Sequence, residues 1–191
     1  ATDATHNTAV GMDSMKAHET GNECTAIGYI ALNANTTGAG NTIVGSYAGD
    51  VNTTGGYNSA LGHNALGANT TASYNTAIGN SSLIANTTGA QNTAVGHSAL
   101  AANTDVSFNT AVGSSAGAAL SSGGNFVGMG YNAGASATSA TGTTLIGSLA
   151  GDAITSADYN TALGYAALSA SITGAQNTAV GTYALQNALE D

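Results

Sequence analysis

The chain has 191 residues, with 27 Gly, no Pro, no Trp and one cation, and only 6% of its side chains are charged, for a formal net charge of −9. So anionic a chain is no partner for nucleic acid or an anionic membrane surface, and its apolar runs fall far short of the ~20 residues a spanning helix needs. The single cysteine, Cys24, permits neither an internal disulfide nor a thiolate metal cluster, and low charge with 42% hydrophobic residues is not the composition of a disordered chain.

From the start of the chain a glycine recurs every seventeen residues, at Gly11, Gly28, Gly45 and onward to Gly181, with no insertion or deletion. A strict short period marks one structural unit stacked on copies of itself. Each unit opens on Asn-Thr-Ala-Val-Gly or a close variant, as in Asn75 to Gly79 and Asn92 to Gly96. Alternate β-branched residues predict a short strand ended by the glycine. The bulky residue before each glycine is expected to point inward. That column is Val10, Ile27, Val44, Leu61, Ile78, Val95, Val112, Met129, Ile146, Leu163 and Val180, with the Thr of each unit beside it on the same face.

Three residues after the glycine comes a column that is always Ala or Ser, from Ser14 to Ala184, followed by Leu, Met or Gly. Such size restriction predicts two surfaces in near contact, within a coil or between protomers. The segment Asn-Thr-Thr-Gly, as at Asn35 to Gly38 and Asn86 to Gly89, predicts a return loop. Two Asn columns, one through Asn41, Asn58, Asn75 and Asn92 and one from Asn35 to Asn103, predict amide ladders along the stack. From Leu120 to Gly142 the unit loses its Asn-Thr-Thr while the period survives. The expected fold is therefore all-β, a single parallel β-solenoid (β-roll) over 1–191 with about eleven 17-residue coils and no substantial helix. Residues 1–23 and 182–191 are expected as atypical terminal coils. Asp3, Asp13, Lys16, Glu19, Glu23, Glu190 and Asp191 put charge there, which opposes end-to-end stacking.

No catalytic constellation emerges. His63 and His97 share a column two coils apart, roughly 9.6 Å at the strand spacing, too far to share a metal. Asp50 and Asp152 lie six coils apart and make no carboxylate pair. His6 and His18 with nearby Asp3, Asp13 and Glu19 suit adventitious cation binding rather than a designed site. No enzyme activity, cofactor or metal site is expected. The candidate ligand contacts are aromatic: Tyr57, Tyr74, Phe108 and Tyr159 share one column, and Tyr57 and Tyr74 fall in adjacent coils where they would stack, as a carbohydrate platform or as a stiffened edge.

The motif Asn-Thr-Ala-[Val/Ile]-Gly, followed by Ala-Leu and Asn-Thr-Thr-Gly, resembles repeats of phage tail fibres and bacterial surface proteins. Its strand end is similar to the head repeats of trimeric autotransporter adhesins, whose unit is shorter. The resemblance implies a non-enzymatic structural module, shaft or head, of an extracellular fibre on a phage virion or bacterial cell surface. It also implies a parallel homotrimer, with host glycan or receptor as a lateral contact. Two further readings remain open: an ice-binding or surface-binding solenoid using a flat Thr ladder, and a self-assembling filament subunit.

Overall fold

In the computed structural model, which describes residues 4–156, 158–170 and 173–186, the chain is a β-solenoid. One parallel sheet holds β1 (Thr8–Val10), β2 (Thr25–Ile27), β3 (Thr42–Val44), β4 (Ser59–Leu61), β5 (Thr76–Ile78), β6 (Thr93–Val95), β7 (Thr110–Val112), β8 (Val127–Met129), β9 (Thr144–Ile146), β10 (Thr161–Leu163) and β11 (Thr178–Val180). They lie side by side in chain order. Each residue pairs with the one seventeen places on, as Thr76 with Thr93 and Ile78 with Val95. No helix forms among the described residues. Asp3, Glu190 and Asp191, expected to charge the ends, lie outside them.

The rest of the coil is also hydrogen-bonded to the next through most of the stack. In the Asn-Thr-Thr segment the N–H groups of Thr36 and Thr37 both donate to the Thr53 carbonyl, and the Thr36 hydroxyl donates there too. The expected loop is thus a second hydrogen-bonded wall.

Four positions per coil have positive φ. One is the repeating glycine, and its need is steric as well as conformational: a Cβ on Gly79 (φ +131°) would sit 2.5 Å from the Gly96 carbonyl oxygen. The other three mostly carry side chains. They are the rows through Ser81 and Ser98, through Leu83 and Leu100, and through Tyr57 and Tyr74, all near the left-handed helical region. An L-residue pays roughly 1–2 kcal/mol there. Burial of the Leu row offsets this, for Leu32, Leu83 and Leu100 are inaccessible to solvent.

The interior corrects the expected register. In every strand from β2 to β11 only the middle residue is buried: Ala77 is 0% exposed, whereas Ile78 on the same strand is 39% exposed. The whole column Val10, Ile27, Val44, Leu61, Ile78, Val95, Val112, Met129, Ile146, Leu163 and Val180 faces outward with the Thr column, each residue half-buried or exposed. The cause is the thinness of the coil. The Leu row enters from the opposite wall and fills the space, leaving room on the strand for Ala. Where the Leu row becomes Gly at Gly49 and Gly151, the strand residue enlarges to compensate, and at Gly117 and Gly134 Phe126 takes up the space. Ile43 packs 3.5 Å from the Cβ position of Gly49, and Leu145 fills the space beside Gly151. The small column is buried within each coil, Ala31 through Ala167 being inaccessible, with only Ser14 and Ala184 of the end coils partly open.

Candidate interaction surfaces

Three sets of side chains could carry recognition: the aromatic columns, the Asn ladders with His18, and the outward sheet face. Tyr57 and Tyr74 stack as expected, with centroids 5.3 Å apart and planes 7° from parallel. Their geometry changes what they can do. The second face of Tyr57 lies over Gly40, whose Cβ position is 2.6 Å from the Tyr57 ring. Tyr57 therefore has neither face open, and a sugar platform needs an open face. Tyr159 covers Gly142 in the same way, with 2.9 Å from its ring to the Cβ position. Phe108 and Tyr159 are exposed but stand apart from the Tyr57–Tyr74 pair, since Gln91 separates Tyr74 from Phe108.

A second aromatic set escaped the column reading because it crosses columns. Tyr29 meets Tyr47 edge-on at 5.2 Å, Tyr47 meets His63 at 6.0 Å, and Tyr165 meets Tyr183 at 5.4 Å. The contacting tyrosines are eighteen residues apart, one more than the period, so they touch diagonally between coils.

The Asn ladders form and are fully buried over most of their length. In the first, each side-chain oxygen accepts from the backbone N–H of the next Asn, as Asn58 to Asn41, Asn75 to Asn58 and Asn92 to Asn75. In the second, each Nδ2 donates to the preceding Oδ1, from Asn52 to Asn35 and on through Asn69, Asn86 and Asn103. His18 heads that row. Its Nε2 lies 2.6 Å from the Gly21 carbonyl, which can only accept, so the proton sits on Nε2 and Nδ1 accepts from Asn35 Nδ2 at 3.1 Å. Both ring nitrogens of His18 are thereby engaged in the fold.

Titratable groups do not converge. Among the described residues no three His, Cys, Asp or Glu side chains gather closely enough to hold a metal ion. Asp13 pairs with Lys16 at 3.2 Å on the surface. Burial pushes the carboxyls of Asp50 and Asp152 above their ordinary values, partly opposed by their own and following backbone N–H groups. Burial likewise pushes the Cys24 thiol up, away from reactive thiolate.

The sheet face is the most regular surface. Its two columns run from Thr8 and Val10 to Thr178 and Val180, and every member is Thr, Ser, Val, Ile, Leu or Met. No charged side chain stands on it. Compared with family models, with curated proteins and with solved structures, the chain finds no match in any of the three.

Proposed function

We propose that the chain is a non-enzymatic structural module of an extracellular fibre, on a phage virion or a bacterial cell surface, working as a parallel homotrimer. The observation that carries this reading is continuity: one hydrogen-bonded ladder runs through eleven strands without a break, and each coil bonds only its neighbours. Such an object is a stiff rod of about 50 Å at the strand spacing. Most of its buried side-chain amides are engaged in the ladders, and among the described residues no three His, Cys, Asp or Glu side chains gather closely. In this reading the module sets a distance, holding a receptor-binding element away from the particle. The resemblance of its repeat to fibre and adhesin repeats supports the same assignment.

The test is excision of one coil, Asn75 to Gln91, from the intact fibre. The shortened protein is expected to fold and attachment to persist. Loss of attachment with folding intact would replace the spacer with a lateral receptor site.

One observation favours a second reading. The Thr and aliphatic columns face outward in a regular, charge-free array, the kind of repeat an ice-binding or other solid-binding surface uses. Thermal hysteresis of the purified protein would establish it, and its absence at millimolar concentration would remove it.

A further inference from the structure

We propose that the outward sheet face is where copies of this chain meet, side by side with like coils opposed, and that β8 fixes their register. The parallel arrangement rests on the fibre reading, in which every copy runs along the fibre axis.

Chemistry selects this face. All the charged residues of the described coils, Asp13, Lys16, Glu19, Glu23, Asp50, Asp105, Asp152 and Asp158, stand on other walls. The face instead exposes Ile27 at 40%, Leu61 at 52% and Leu163 at 48%. A charge-free face with an unbroken aliphatic column along its length marks an interaction site rather than a solvated wall. Eleven three-residue strands make a face of about 50 by 10 Å, roughly 500 Å² per copy and so at the small end of specific interfaces.

The aliphatic column also separates a protein partner from a crystalline one. A lattice presents identical rows, so its complement is a column of one residue type. Here the column changes size from coil to coil, Val44, Leu61, Ile78, then Val95 and later Met129. Variable side chains suit a partner that varies in step, and a second copy in register does so at every coil.

Register needs a marker, because a uniform ladder presents nearly the same face after a slip of one coil, about 4.8 Å. One strand supplies it. In β8 the hydroxyl column carries Val127 and the aliphatic column carries Met129. In register, Val127 of one copy meets Val127 of the next. After a slip it opposes a Thr hydroxyl, which loses its partner on burial.

The experiment is mass in solution for the purified chain, with variants confined to the face. The wild type is expected at a multiple of the 18.3 kDa chain mass. Ile78→Lys with Val95→Lys should give a folded monomer by circular dichroism and light scattering. If that pair fails to fold, Ile78→Thr with Val95→Thr is expected to weaken association at least tenfold. Thr71→Lys with Thr88→Lys, on the exposed far wall, should leave the mass unchanged. Register is read by oxidising mixtures of Thr93→Cys and Thr110→Cys chains. Like-with-like disulfides should dominate, and mixed ones should appear once Val127→Thr and Met129→Val make the ladder uniform. A monomeric wild type, or an oligomer that survives both face variants, would overturn the interface while leaving the coil-excision test of the spacer untouched. Mixed disulfides in the wild-type ladder would overturn the register marker, and thermal hysteresis by a monomer would give the face to ice.

Discussion

The coils on either side of Asn103 share a backbone and differ in what fills it. From Asn35 to Asn103 the corner is packed with stacked amides, and Ala and Leu complete the interior. Beyond it Leu120, Ala137 and Ile154 occupy the second Asn column, while Phe126 replaces an Asn of the first and fills the space beside Gly117, Gly128 and Gly134. The strands, their hydrogen bonds and the positive-φ rows continue through both regions, and in the Thr wall the ladder skips one step at the seam, between Thr104 and Ser121. The backbone ladder therefore sets the coil, and the filling is interchangeable provided volume is conserved. The seam has a cost. Asn103 Oδ1 faces Leu120, which cannot donate, and it and Asn109 Nδ2 are buried without a partner.

The largest expected effect tests the shared backbone. Gly79→Ala in the amide region and Gly130→Ala in the apolar region each drive a Cβ to within 2.5 Å of the next coil's backbone. Both should cost at least ~3 kcal/mol in urea unfolding, from strain and displaced hydrogen bonds. Unequal losses would mean the two regions do not share one ladder. Next comes the interior. Leu83→Ala removes a fully buried side chain and should cost about 2–5 kcal/mol, whereas Ile78→Ala on the outward face of the isolated chain should cost less than ~1 kcal/mol.

The seam predicts an asymmetry between two substitutions of the same type. Asn86→Leu strands Asn69 Oδ1 and leaves Asn103 Oδ1 unpaired, whereas Asn103→Leu strands Asn86 Oδ1 but removes an oxygen that already lacks a partner. Asn86→Leu should be the more destabilising by about 1–3 kcal/mol, measured by thermal or urea unfolding. Equal costs would show that the amide row ends elsewhere.

One carboxylate in each region gives a smaller effect with a definite sign. Asp50 and Asp152 have folded pKa values raised by burial, so the folded state holds the proton more tightly. Their contribution is most favourable below the ordinary carboxylate range and is lost as pH rises through the raised values. Asp50→Asn and Asp152→Asn should each flatten melting temperature against pH on the alkaline side of that range. A comparably small effect belongs to Tyr57→Ala, which removes an exposed ring and its stacking and should cost about 0.5–1.5 kcal/mol in urea unfolding.

The period, the strand positions, the end of each strand at glycine and both Asn ladders were legible in the sequence, because each depends on one residue type recurring at one spacing. The facing of the strand was not. Thr-Ala-Val places bulk on one side and Ala on the other, and bulk ordinarily marks the core side. The contrary signal was present but indirect: the middle residue is never polar, and it enlarges to Ile43 or Leu145 only where the Leu row shrinks to Gly49 or Gly151. Three of the four positive-φ rows were hidden because Leu, Tyr, Ser and Asn occupy them in place of glycine. The open faces expected of the aromatic platform also depended on what lay beneath each ring, and Gly40 and Gly142 become informative only once the coils are stacked.

The amide rows bear on how long such a molecule lasts. Asparagine ages chemically when the N–H of the following residue is free to attack its side-chain carbonyl, closing a ring that expels ammonia. Along the second ladder from Asn35 to Asn86, and along the first from Asn41 to Asn109, that attack is blocked twice. The side-chain carbonyl is held by its neighbour in the row, and the following N–H is already committed, as Thr36 is to the Thr53 carbonyl and Thr42 to that of Asn58. A chain built from the residue most prone to spontaneous decay stores most of it where decay cannot begin, so its working lifetime is set by how rarely a coil opens.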